Sequence, residues 1–148
     1  MLRPLSVNDL ATILQLESVC QLTPWSEDVF KKCLEAGSTG WVTEIDGKVI
    51  GFILTLAQVD EVHILNFCVH PAYQHQGYGK QLITHMIQNL VPHQIKLIYL
   101  EVRRSNQHAI ALYEKVGFKK IGERKDYYLS IGQREDALVF ALNVIKMD

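Results

Sequence analysis

Residues 61–90 read EVHILNFCVHPAYQHQGYGKQLITHMIQNL, and this stretch decides the fold. Glu61 to Val69 is an apolar, β-branched run of strand length. It ends at His70-Pro71, because proline cannot donate to a β-ladder. Gly79 to Leu90 changes period: Leu82, Ile83, Met86, Ile87 and Leu90 form the stripe of an amphipathic helix, closed by Pro92. Ile95 to Val102 returns to strand. Strand, helix and strand over residues 61–102 predict a right-handed crossover between two parallel strands.

Upstream, Ser6-x-x-Asp9 resembles a capping box, followed by Leu10, Ile13, Leu14 and Val19 at helical spacing. Pro24-Trp25-Ser26-Glu27 marks a second helix start, with Ser26 as N-cap and a stop near Gly37. Trp41 to Ile45 and Lys48 to Val59 are β-rich runs joined by Asp46-Gly47, a strong hairpin signal. Downstream, Asn106 to Val116 reads as a helix with Ala109, Leu112, Tyr113 and Val116 on one face, stopped by Gly117. Phe118 to Glu123 and Ala137 to Asn143 follow as two strands around a Tyr127-Tyr128 loop. The result is a mixed α/β domain of about seven strands and four helices, read as a single domain over residues 1–148.

Composition limits the function. The 148 residues carry 15 Lys plus Arg against 16 Asp plus Glu, a formal charge of −1. A protein that grips nucleic acid by phosphate neutralisation needs a cationic excess, so no direct nucleic-acid binding is expected. No apolar run approaches 18 residues and Met1-Leu2-Arg3-Pro4 lacks a signal-peptide core, which predicts a cytoplasmic chain with no membrane association. Cys20, Cys33 and Cys68 show no metal or redox spacing and read as buried free thiols. The six histidines, His63, His70, His75, His85, His93 and His108, form no metal motif and read as scattered surface residues, so no metal is expected.

The chemically informative segment is Gln74-His75-Gln76-Gly77-Tyr78-Gly79-Lys80, between a strand and a helix. Gly77 and Gly79 remove side chains where backbone N–H groups can converge on an anion, and the helix N-terminus favours negative charge. The spacing is neither a Walker loop nor GxGxxG. By itself it reads equally as a phosphate cradle or as a glycine-eased turn.

The Q-x-x-G-x-G at Gln74–Gly79, preceded by Asn66-Phe67-Cys68-Val69-His70-Pro71, resembles the acetyl-CoA signature of the GCN5-related N-acetyltransferase (GNAT) family. Leu100-Glu101-Val102-Arg103, Ser105-Asn106, Ala109 to Glu114 and Val116-Gly117-Phe118 are similar to that family's second half. Pro24-Trp25-Ser26-Glu27, Tyr127-Tyr128 and Arg134-Glu135-Asp136-Ala137 resemble, more narrowly, its bacterial ribosomal-protein-alanine branch. The likeness runs over about residues 2–142. It departs at His75, where Arg is common, and at Leu129, where Pro is frequent.

The resemblance implies the GNAT fold, a mostly antiparallel central sheet with one parallel pair, and acetyl-CoA as co-substrate. Backbone groups of Phe67, Cys68 and Val69 would pair with pantetheine; His75, Gln76, Gly77, Tyr78, Gly79 and Lys80 would cradle the pyrophosphate; Asn106 would bond the pantetheine. Glu101 would be the general base and Tyr113 the donor to the leaving thiolate. The acceptor would be a protein N-terminus, that of an alanine-initiated small-subunit ribosomal protein. A basic acceptor tail would be attracted by Asp60, Glu61, Glu135 and Asp136.

Taken without the family pattern, Glu101 reads as a solvated or salt-bridged strand residue and Tyr113 as core. Two other functions fit the same motifs: acetylation of lysine side chains or small amines, and a non-catalytic acyl-CoA-binding module.

Overall fold

The computed structural model describes residues 1–90, 94–130 and 133–144. Pro92 and His93, and part of the Tyr127–Gln133 segment, lie outside them. The strands are β1 (Leu2–Pro4), β2 (Thr39–Ile45), β3 (Lys48–Gln58), β4 (Glu61–Val69), β5 (Leu97–Arg103), β6 (Lys119–Ser130) and β7 (Gln133–Asn143). The helices are α1 (Leu10–Cys20), α2 (Glu27–Glu35), α3 (Tyr78–Leu90) and α4 (Gln107–Val116). The strands form one sheet in the order β1-β2-β3-β4-β5-β7-β6. Among the described registers, β4–β5 is the one parallel pair, running from Glu61↔Leu97 to Ile64↔Leu100. This is the mixed α/β architecture that residues 61–102 predict.

Two compact units can be distinguished, and the division falls inside β4. The first comprises residues 1–56 and 65–89. Ser6 and Asp9 do make a capping box, which opens a 3-10 turn at Val7–Asp9 immediately before α1. Asp9 also receives both terminal nitrogens of Arg3, at 2.7 and 2.9 Å, which ties β1 to the start of α1. Ser26 Oγ accepts from the Val29 N–H and caps α2. The Asp46-Gly47 turn has positive φ at both residues (53° and 78°), the geometry of a type I′ hairpin. The core gathers Ile13 and Leu16 of α1, Phe30 of α2 and Val42, Phe52 and Leu54 of the hairpin. Phe30 meets Phe52 edge-on at 6.0 Å. On α3, Leu82, Ile83, Met86 and Ile87 are buried, as their periodicity predicts.

The second unit comprises residues 57–64 and those from 90 onward. Ile98, Leu100 and Val102 of β5 are buried while Tyr99, Glu101 and Arg103 are not, the strict alternation of a strand with one core face. On β7, Leu138, Phe140 and Leu142 pair in register with Val102, Leu100 and Ile98 and are buried with them, and the small Ala137 and Ala141 are buried on the other face. On α4 the buried residues are Ile110 and Tyr113, with Ala109, Leu112 and Val116 half-buried. Gly117 stops the helix in the left-handed conformation (φ 117°).

The strands at the end of the chain are longer than the sequence predicts. Tyr127 and Tyr128 belong to β6, not to a loop, and Tyr128 pairs with Glu135 of β7. The segment 119–128 lacks apolar alternation, so its strand character comes from pairing with β7. Register shifts at Lys120/Gly122 and Arg124/Tyr128 interrupt that ladder.

Gly40 of β2 lies where a methyl group would collide with the Ile53 carbonyl of the adjacent strand. Gly40→Ala is expected to destabilise the protein by about 1–3 kcal/mol. Thermal unfolding followed by circular dichroism should show a Tm lower by roughly 2–12 °C.

Candidate active site

Strand parity puts Glu101 on the polar face of β5, and three side chains build its surroundings. His63 of β4 is register partner to Tyr99, and the two rings stack with centroids 4.4 Å apart and planes 12° from parallel. From there His63 Nε2 lies 2.6 Å from Glu101 Oε2. Arg124 of β6 approaches the other oxygen, Oε1, at 3.4 Å. The carboxylate is only 9% exposed, against 27% for the imidazole. The bond from His63 holds the Glu101 carboxyl below the usual carboxylate range, against the opposing effect of burial. Glu101 is therefore an ionised, hydrogen-bonded carboxylate, not a solvated strand residue. An ionised carboxylate can only accept, so the proton in the 2.6 Å contact sits on His63 Nε2.

Tyr113 projects from α4 into the core of the same unit, 5% exposed and packed against Phe118 at 5.8 Å between ring centroids. Burial, with Tyr128 nearby, pushes its phenol far above the ordinary value, so the hydroxyl keeps its proton at all physiological pH. Such a group donates hydrogen bonds well and gives up its proton poorly. Asn106 is the N-cap of α4, its Oδ1 accepting from the Ala109 N–H at 3.2 Å. Only the amide N–H groups of Asn106 are then suited to meet an acceptor on a ligand. Arg103 lies over the Tyr128 ring at 4.6 Å and pairs with Glu135, whose other oxygen accepts from the Ser105 N–H at 2.7 Å.

The loop before α3 belongs to the first unit. Pro71–Tyr73 forms a 3-10 turn, capped by His70 Nδ1 accepting from the Ala72 N–H. The Gln74 side chain donates to the Val69 carbonyl at 2.9 Å and ties the loop to the end of β4. His75 and Gly77 both take left-handed backbone angles (φ 64° and 89°), and α3 begins at Tyr78. Alternating handedness just before a helix turns successive N–H groups toward one side, where the first turn of the helix adds its own unpaired donors. A Cβ placed on Gly77 meets nothing within 4 Å, so the space beside this backbone is open. The arrangement fits an anionic ligand such as a pyrophosphate. At Phe67 the backbone N–H donates to the neighbouring Asn66 Oδ1 at 2.8 Å, a local bond that a ligand carbonyl can replace.

Several features escape the sequence reading. Cys20 and Cys68 are not free thiols: they form a disulfide, leaving Cys33 as the free cysteine. The end of α1 and the penultimate residue of β4 bring their Cα atoms 6.3 Å apart, and a separation of 48 residues leaves no spacing signal. His63 is not a scattered surface histidine but the partner of Glu101, and His85 packs edge-on against Trp41 at 4.3 Å. Glu17, fully buried on α1, accepts from the Trp25 N–H and from the Asn66 amide, both at 2.9 Å, anchoring the Pro24–Ser26 segment. Of the four acids expected to draw a basic tail, Asp60 pairs with Lys96, Glu135 with Arg103, and Asp136 with Arg104 and Lys125. Pairing cancels much of the long-range attraction those three can exert.

Fold and loop together define an α/β protein with an anion-accepting turn ahead of α3. The chain belongs to the Acetyltransferase (GNAT) family, whose model matches residues 8–118. It is 36% identical over 140 residues, 95% of each chain, to the [ribosomal protein bS18]-alanine N-acetyltransferase of Escherichia coli strain K12. It is 34% identical over 143 residues to the enzyme of the same name from Haemophilus ducreyi, covering 96% of this chain and 99% of that one. The crystal structure of the Escherichia coli ribosomal-protein-S18-alanine N-acetyltransferase superposes with a TM-score of 0.92, covering 97% of this chain and 93% of that one, at 35% identity.

Because the folded state holds Glu101 below its ordinary range, the stability it contributes is present above about pH 4.3, the unfolded value. That contribution is lost as pH falls through the lower folded value. Urea denaturation of Glu101→Gln should show a loss of about 1.5–3 kcal/mol at pH 7. The difference from wild type should narrow on acidification below pH 4; a pH-independent difference would contradict the ionised pair.

Proposed function

We propose that this chain transfers the acetyl group of acetyl-CoA to the N-terminal α-amino group of a protein, with an alanine-initiated small-subunit ribosomal protein as acceptor. The observation that carries this reading is the near full-length likeness to enzymes of that name at 34–36% identity. One acetyltransferase domain spans the chain in this reading, and it works in the cytoplasm, where ribosomal proteins are made. No described helix is long and apolar enough to cross a membrane. The Cys20–Cys68 bond is the one feature that a thiol-reducing cytoplasm works against.

The co-substrate, when bound, supplies an acetyl thioester. His75, Gln76, Gly77, Tyr78, Gly79 and Lys80 hold its pyrophosphate through backbone N–H groups and the lysine charge. Phe67, Cys68 and Val69 bond its pantetheine arm in the manner of an added strand, and Asn106 donates to it from the amide nitrogen.

An amine attacks a thioester only when neutral. The α-amino group has a reference pKa near 7.7–8.0 against about 10.4 for lysine, so its deprotonation is easier by about 3.4 kcal/mol. Glu101 collects that proton, directly or through one water. The Tyr113 hydroxyl donates a hydrogen bond to the thiolate as it forms, a role that suits a phenol which stays protonated.

Incubation with acetyl-CoA and an Ala-initiated peptide should raise the peptide mass by one acetyl group, while an α-blocked lysine peptide stays unmodified. The reverse preference would assign the chain to lysine or small-amine acetylation; acetyl-CoA binding without turnover would make it a binding module. In the same assay Glu101→Gln should lower kcat/KM by about 10²–10⁴-fold. Tyr113→Phe should lower kcat by about 10²-fold with acetyl-CoA affinity kept. Unchanged kcat in both variants would return the two residues to structural roles.

A further inference from the structure

Glu101 alone is a poor resting place for a proton taken from an α-ammonium. At reference values the transfer to a glutamate is uphill by about three powers of ten, and transfer to an imidazole by only about one. The bonds from His63 and Arg124 that keep Glu101 ionised widen the first gap. They also show where the proton can go. His63 donates from Nε2 to Glu101 Oε2 at 2.6 Å, so in the neutral imidazole the other nitrogen, Nδ1, carries a lone pair. Stacking on Tyr99 holds the ring plane. The imidazole is also three times as exposed as the carboxylate, 27% against 9%, and so lies between a nearly buried anion and water.

We propose that His63 is the group on which the departing amine proton comes to rest, so that Glu101 and His63 act as one base in which the carboxylate holds the imidazole. The inference rests on the proposed reading that the acceptor amine gives up its proton at the Glu101 site. In the step, an N–H bond of the acceptor's ammonium breaks and an N–H bond forms at His63 Nδ1, through a water where the two do not touch. No electrons are exchanged. The imidazolium stays paired with the Glu101 carboxylate, as in catalytic triads where a carboxylate fixes the tautomer and offsets the charge. It then releases its proton to solvent.

Among the described residues, the charged and titratable groups on the elements beside His63 are Tyr99 and Glu101 of β5, Arg124 of β6 acting through the same carboxylate, and Glu61 and Asp60 two and three residues earlier, Asp60 being paired with Lys96. Residues 57–59, leading into β4, are Ala, Gln and Val and carry no titratable side chain.

The test is the pH dependence of kcat/KM for an Ala-initiated peptide. Only one proton must then reach solvent before the step, the one on the imidazole, because the ammonium's proton is handed to that ring. The plot of log kcat/KM against pH should therefore rise with a limiting slope of 1 and level off below the α-amine's reference range of about 7.7–8.0 in the wild type. His63→Gln retains a side-chain donor for Glu101 but has no titratable nitrogen. Its plot should go on rising to about 7.7–8.0, with kcat/KM near pH 6.5 lower by at least about tenfold. Parallel profiles for the two proteins would overturn the proposal.

A second measurement needs no variant: nitrogen-15 NMR of the wild type above pH 8 should show His63 protonated at Nε2 and bare at Nδ1. The opposite tautomer would overturn the proposal equally. Full activity in Glu101→Gln would instead overturn the underlying reading of Glu101. An inactive Glu101→Gln beside a His63→Gln whose profile levels off at the wild-type pH would remove His63 alone.

Discussion

An ionised carboxylate kept nearly out of water has to be held by donors, and here that requirement organises the polar face of the sheet. Glu101 sits at 9% exposure because His63 and Arg124, from two other strands, each take one of its oxygens. Three conditions make this possible. β5 must alternate without error, so that Ile98, Leu100 and Val102 enter the core while Glu101 stays opposite. β4 must run parallel to β5 in the register that sets His63 beside Tyr99. β6 must be long enough to bring Arg124 alongside, which it achieves by pairing with β7. Loss of any one leaves a partly buried charge without its partner, which costs more than the pair contributes when intact.

Much of this was legible in residues. The period change between Glu61–Val69 and Gly79–Leu90 announces the crossover, and the buried positions of α3 are four of the five the stripe predicts. Asp46-Gly47 predicts the hairpin, and Ser26 and Gly117 predict helix ends, since each works through a local backbone geometry. The alternation of Tyr99, Glu101 and Arg103 against Ile98, Leu100 and Val102 is legible for the same reason, since it needs only the strand itself. The proposed roles of Glu101 and Tyr113 rest on family likeness; read without it, Glu101 is a solvated or salt-bridged strand residue and Tyr113 a core residue, and the structure does place Tyr113 in the core and Glu101 in ion pairs.

What stayed hidden depends on relations between distant segments. His63 is one polar residue in an apolar strand, and nothing in its neighbours gives the register that sets it against Glu101. Cys20 and Cys68 are brought together by α1 packing on β4 within the first unit, and no spacing rule covers such a pair. Glu17 looks like an ordinary helix residue, yet it carries the Trp25 N–H and the Asn66 amide in full burial. β6 is longer than its sequence pattern predicts because Lys119–Tyr128 is charged and irregular, and its structure is imposed by a partner strand. The acids Glu135 and Asp136, which composition offers as a lure for a basic tail, serve mainly to bind Arg103, Arg104 and Lys125.

The central claim is that the acceptor's α-nitrogen loses its proton at Glu101 and its partner. A crystal structure with a bisubstrate analogue, coenzyme A joined to the α-nitrogen of an Ala-initiated peptide, tests it most directly. The account predicts that this nitrogen lies within about 2.6–3.2 Å of the Glu101–His63 pair, or one bridging water from it. A nitrogen held farther away, with a different titratable side chain against it, would contradict the account.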